Sequence, residues 1–266
     1  MGLFRGGLEN LTIPLDDLAY YRRRSATGAT EAVRFDGSTG YFSRAKLTGS
    51  ADGKKGIISF WFKLTGGNGA DQYVLNIAQS GVTRYIAFFR DSSNLWQVLC
   101  RDTGGTNRVL MTSSGTYTAD STWHHFASSW DVATGTSANF MYIDGSSVKA
   151  GGDSAGDINL AYDTNVDTTG VGANNTFAAA SFFNGDLAFL YFNEAEAIDL
   201  SNATNLQKFR TAGGAPASLG SDGSTPTGSQ PILYLHGLVG AWPTNNGSGG
   251  NFTANGTITQ APTDPP

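Results

Sequence analysis

The chain has 266 residues, 39% of them hydrophobic and 12% aromatic, which fills one large all-β domain or two small ones, and no apolar run is long enough to cross a bilayer. A formal net charge of −5 offers nucleic acid no attractive field, and the lone Cys100 excludes a disulfide framework. Charged residues make up only 15%; Ser, Thr, Asn and 35 glycines supply the polarity, as many short strands joined by tight turns require.

Residues 1–30 read as a segment apart. Pro14 interrupts any continuous element, and Leu8, Leu11, Ile13, Leu15 and Leu18 fit neither period, so an extended arm with a short helical turn near residues 16–22 is expected. Arg22, Arg23 and Arg24 form the one basic cluster and are the candidates for anchoring to a neighbouring subunit, against the plainer reading of a solvated patch. No basic-then-apolar signal pattern is present, and Gly6 breaks a myristoylation motif, so a soluble, unsecreted protein is expected.

From Glu31 onwards strands follow closely. In residues 57–64, Ile58, Phe60, Phe62 and Leu64 share one face, against Ile57, Ser59, Trp61 and Lys63 on the other. Further strands are expected at residues 72–78, 83–89, 94–101 and 107–112. The run STWHHFASSWDVATGTSANFMYIDG, residues 121–145, gives two strands (123–130 and 139–143) around a turn, broken by Asp144-Gly145. Adjacent in a strand, His124 and His125 point to opposite faces and cannot clasp one metal. Residues 182–192 are apolar on both faces, which predicts a central strand covered twice. A short helix is expected at about 201–211, capped by Asp199 or Ser201, striped by Ala203, Leu206 and Phe209, and stopped by Gly213-Gly214. Strands at 231–237 and 251–258 follow, and residues 259–266 are expected to be loose.

Three motifs invite a catalytic or metal reading. Residues 152–156, GDSAG, match a nucleophile string, but the strand-then-helix context it needs is missing. Glu194, Glu196 and Asp199 offer paired carboxylates, but they sit past the strand in an order unlike the glycosidase E-x-D-x-x-E, and acidic side chains ahead of a helix N-terminus are the preferred explanation. Residues 163–167, DTNVD, imitate half a calcium loop, with Thr168 and Asn174 where an EF-hand needs Gly and Glu. No catalytic residue and no metal ligand is assigned. Among loop aromatics, Tyr117, Tyr162 and Trp242 are the candidates for stacking on a sugar.

The pair WHHFASSWD and YIDG, residues 123–131 and 142–145, with VRFDGSTGYF at 33–42, resembles the LamG-like group of concanavalin A-type proteins. That resemblance implies an all-β jelly-roll sandwich of two antiparallel sheets over residues 31–258, between the arm at 1–30 and the tail at 259–266. LamG-like domains often bind calcium through an Asp in a late G-x-I-D-E-V strand. In the matching run, residues 185–190, Ala188 replaces that aspartate, which argues against calcium, and no cofactor is expected. Residues 196–237 further resemble a segment of LamG-like proteins of tailed bacteriophages and prophages. The resemblance implies a non-enzymatic virion structural protein, made in the host cytoplasm and carried on the particle. Its expected partners are other virion proteins, further copies of itself and host surface glycans, without nucleic acid or membrane insertion. A lectin module not tied to a virion and, more weakly, a glycoside hydrolase are the alternatives.

Overall fold

The computed structural model describes residues 31–152 and 156–266, and these form sixteen strands. In chain order they begin with β1 (Val33–Asp36), β2 (Tyr41–Arg44), β3 (Lys55–Leu64), β4 (Gln72–Gln79), β5 (Thr83–Arg90), β6 (Trp96–Arg101), β7 (Asn107–Ser113) and β8 (His124–Asp131). They continue with β9 (Phe140–Ile143), β10 (Ser146–Ser147), β11 (Lys149–Gly151), β12 (Thr168–Val171), β13 (Asn184–Asn193), β14 (Leu233–Leu235), β15 (Thr253–Asn255) and β16 (Ile258–Gln260). The pairings are antiparallel and make two sheets. The first runs β10-β9-β8-β3-β13-β1-β16, with β14 also on β13; the second runs β11-β7-β6-β5-β4-β12-β2-β15. This is the two-sheet sandwich the sequence pattern implies.

Between the sheets lies one apolar core. The face Ile58, Phe60, Phe62 and Leu64 of β3 points into it, as the period of two requires, and meets Ile86, Phe88, Trp96 and Val98 of the second sheet. Phe60 stacks on Phe126 at 4.8 Å and packs against Trp96 at 5.5 Å. Gly56 is needed at its position because a Cβ there would lie 2.1 Å from the Trp130 ring. The Asp144-Gly145 break closes the β9–β10 hairpin with φ of 52° and 84°, the left-handed pair that suits the strand twist.

The outer faces of the two sheets differ. On the first sheet the chain after β13 folds back as a roof. Ile57, Tyr191 and Tyr234 pack with Phe209 and Leu219, and Ala127 packs with Leu200 and Leu206. Roofing explains why residues 182–192 are apolar on both faces. A bulge between Ala188 and Tyr191, with Phe189 at φ 51°, lets Ala188 and Phe189 both face outward against Trp61, Ala32 and Ala261. Ala188 is therefore an apolar packing residue.

Two expectations are corrected. The helix spans only Ala203–Leu206 (α1), and Asn202 caps it by accepting from the Thr204 N–H. Asn, Thr and Asn are weak helix formers, so three-residue turns carry Leu206 and Phe209 inward instead. The tail beyond residue 258 is not loose: β16 pairs with β1, the Ala261 N–H donates to the Ala32 carbonyl (3.0 Å), and Thr263 receives the Lys63 ammonium (2.8 Å). The expected arm, with Arg22, Arg23 and Arg24, lies outside the described residues.

Candidate functional site

The structure separates the three aromatic candidates. Tyr162 is core: its hydroxyl accepts from Trp130 Nε1 (2.9 Å) and donates to the Lys55 carbonyl (2.6 Å). Trp242 is fully buried, stacks on Phe42 at 6.0 Å and donates to the Gly237 carbonyl (3.0 Å). Neither ring offers a face to a sugar, because each loop turns its aromatic side chain inward. Tyr117 is half-buried and meets the His124 ring edge-on at 6.4 Å.

The acidic motifs are also structural. Asp163 pairs with Lys46 (2.5 Å), and Asp167 accepts from the Ser80 N–H (2.6 Å). Glu194 is 7% exposed beneath the 50–53 turn, and the Ala51 N–H donates to its Oε1 (2.9 Å). Ser50 Oγ stands 2.7 Å from Glu194 Oε2 and 3.0 Å from the Tyr162 carbonyl. A hydroxyl has one hydrogen. That proton goes either to an ionised Glu194, or to the Tyr162 carbonyl while a protonated Glu194 donates to Ser50. Burial, opposed by these hydrogen bonds and aided by the charges of Asp163 and Asp52, raises the carboxyl from 4.5 to about 7.

His124 and His125 do face opposite ways. His124 is held between Asp144 (2.6 Å) and Asp120 (3.1 Å), and the Asp144 hydrogen bond leads in raising its pKa. His125 is buried beside Trp61, with Nε2 2.9 Å from Ser59 Oγ, and burial drives its pKa down to about 3. A neutral, enclosed imidazole of this kind is framework. Among the described residues, no three His, Cys, Asp or Glu side chains converge into a metal site.

The second sheet carries the arrangement with binding chemistry. On its outer face Tyr73, Ala87, Phe89 and Leu99 form an apolar cluster separate from the core, itself buried, with Arg84 and the half-buried Leu110 packed against it. Register shifts in β4 and β5 near Val74 and Tyr85 turn Tyr73 and Arg84 outward. The Tyr73 and Phe89 rings stack at 4.7 Å and 7°. Arg84 lies over both, 5.6 and 5.5 Å from their centroids, and donates to the Tyr73 hydroxyl. Beside it Arg101 donates through Nε to Asn107 (2.8 Å) and through Nη1 to Thr83 (2.8 Å). Burial, then the adjacent Arg84 charge, lowers the Arg101 pKa. At the far end of β6, Gln97 donates to Asp91 (2.8 Å) and accepts from Thr112 (2.8 Å). The half-buried Leu110, flanked by Arg84 and Arg101 on one side and Gln97 and Thr112 on the other, is the surface this face presents, and fixed hydrogen-bonding groups around an apolar patch suit a polyhydroxylated ligand. A recess of about 350 Å³ lies elsewhere, by the β8–β9 turn, lined by Asp131, Thr134, Phe140, Ile198 and Asp199.

None of Tyr73, Arg84, Phe89 or Arg101 stands out in the sequence. The one available signal is the placing of Arg84 and Arg101 within otherwise apolar strands.

Similarity to known proteins agrees with this architecture. The family model described as the concanavalin A-like lectin/glucanases superfamily, of laminin G type, matches residues 36–195. Among solved structures, a Bacteroides ovatus protein assigned to carbohydrate binding is similar with a TM-score of 0.60 at 15% identity, over 88% of this chain. This chain spans 61% of that protein's length. The heptameric SAP-like pentraxin of Limulus polyphemus is similar with a TM-score of 0.52 at 12% identity, over 86% of this chain and 94% of its own. No curated protein sequence matches.

Proposed function

Since the chain belongs to the concanavalin A-like lectin/glucanases superfamily, which its match over residues 36–195 establishes, we propose that it is a non-catalytic carbohydrate-binding module. The observation that carries this reading is the outer face of the second sheet. There the half-buried Leu110 lies between the Arg84–Arg101 pair and the Asp91–Gln97–Thr112 chain, while the first sheet is roofed by the chain after β13. A binding role fits better than hydrolysis. Glycosidases set two carboxyls across an open sugar site, whereas Glu194 is enclosed and hydrogen-bonded to Ser50 and Ala51.

A glycan array probed with the whole chain, with and without calcium, tests the reading. Specific retention is expected, and Leu110→Glu, which sets a charge on this surface, should abolish it while leaving the melting temperature near that of the parent. If no glycan is retained, or if Leu110→Glu retains as well as the parent, the proposal fails.

The resemblance of residues 196–237 to LamG-like phage proteins favours a second, compatible proposal. The module rides on a tailed-phage particle as an oligomer, anchored through the segment containing Arg22, Arg23 and Arg24, with host glycans as its ligands. Removing residues 1–25 should then abolish incorporation into particles. Normal incorporation of the truncated protein would sink the idea.

A further inference from the structure

Along β6 the side chains of Gln97, Leu99 and Arg101 alternate onto the outer face, an amide, an apolar and a cationic position spanning about 13 Å. The two ends carry opposite charge. At one end Asp91 is bound to Gln97, and at the other Arg84 and Arg101 stand side by side. Among the described residues their hydrogen bonds go to neutral groups: the Tyr73 hydroxyl, Thr83 Oγ1, Asn107 Oδ1 and the Arg84 carbonyl. Arg34, Lys46, Lys54, Lys63 and Arg108 each meet an aspartate, but among the described residues no carboxylate lies within ion-pair distance of Arg84 or Arg101. Two adjacent like charges without a counterion repel each other, and an anion bound between them relieves that repulsion. Contact with the Tyr73 and Phe89 rings and the hydrogen bond to the Tyr73 hydroxyl hold Arg84 in advance, so less side-chain freedom is lost when a planar anion docks on the remaining N–H groups.

We propose that the Arg84–Arg101 pair recognises the carboxylate of an acidic saccharide lying along β6, a specificity that rests on the carbohydrate-binding reading of this face. The half-buried Leu110 underlies the sugar ring, and its hydroxyls meet the Gln97–Thr112 end. A nucleic acid does not fit the same surface. Its evenly spaced phosphates would meet two guanidiniums at one end and the Asp91 carboxylate at the other.

The test uses the whole chain and matched probes: polygalacturonate and its methyl ester, together with an array of sialylated, uronic, sulfated and neutral glycans. Carboxylated glycans should be held at least about tenfold more tightly than neutral or esterified counterparts, and added salt should weaken them. Arg84→Gln and Arg101→Gln should each weaken binding about tenfold or more, whereas exposed Lys55→Gln should leave it unchanged. Arg84→Lys keeps the charge without the planar fork and should fall between, which guards against a fold defect in the glutamine variant. Neutral glycans bound equally well, with both glutamine variants indifferent, overturn the inference and leave the carbohydrate reading standing. Preference for sulfated over carboxylated glycans overturns the carboxylate assignment. Retention of nothing, acidic or neutral, overturns both.

Discussion

Replacing Glu194 by glutamine asks whether the carboxyl beneath the 50–53 turn keeps its proton in the folded chain. Its folded pKa is raised, from the usual 4.5 to about 7. The sign follows: the protonated form contributes stability that is present in full below about pH 4.5 and lost as pH rises through about 7. A shift of roughly 2.5 units at about 1.4 kcal/mol each amounts to about 3 kcal/mol. Glutamine imitates the protonated carboxyl: its Oε1 accepts from the Ala51 N–H, and its Nε2 donates to Ser50, which still donates to Tyr162. The variant should therefore gain on the parent by about 2 to 3 kcal/mol between about pH 5 and about pH 8. Urea unfolding of both proteins across that range is the assay. Other groups also titrate there; His125, lowered to about 3, adds stability as pH rises, but it is common to both proteins and cancels in the difference. Parallel stability profiles would refute the protonated network and restore an ionised Glu194.

Three further outcomes are expected. Asp186 is buried between Arg34 (2.6 Å) and the enclosed Lys63 (2.9 Å), so Asp186→Ala strands a buried ammonium and should cost about 3–5 kcal/mol in denaturant unfolding. Lys63→Met combined with Asp186→Leu should recover most of that loss, and a double variant as weak as the single one would contradict the ion-pair account. Trp242→Ala opens a core cavity and should cost about 3–5 kcal/mol while leaving glycan retention intact at a temperature where the variant is folded; selective loss of retention would restore Trp242 as a ligand residue. Gly56→Ala pushes a methyl into the Trp130 ring and should destabilise by at least about 1–3 kcal/mol, an effect that Trp130→Phe should relieve; an unchanged midpoint would show that the ring can move aside at no cost.

The sandwich was legible because its strands carry their period in the side chains: residues 57–64 alternate between core and outer face, and Asp144-Gly145 marks its hairpin. Helix α1 was read too long because the spacing of Ala203, Leu206 and Phe209 is satisfied as well by successive tight turns as by a helix. The binding face was harder to see. The apolar character of Phe89 and Leu99 says that each side chain is covered, not by what; in the fold both lie in the outer cluster of the second sheet, with Phe89 under Arg84. Whether a loop aromatic turns inward, as Tyr162 and Trp242 do, depends on partners distant in sequence such as Lys55, Trp130 and Phe42.

The edge pairing of β1 with β16 has a kinetic consequence. Val33 lies opposite Gln260 and Phe35 opposite Ile258, so the hydrogen bonds of that edge join residues more than 220 positions apart. Thr253–Asn255 joins β2 at a similar separation. Loop closure over such lengths is slow, so the sandwich completes its edges only after residue 260 has left the ribosome. Until then β1 and β2 present unpaired backbone on that side, and a nascent chain stalled before residue 250 is the species most exposed to strand exchange with a neighbour.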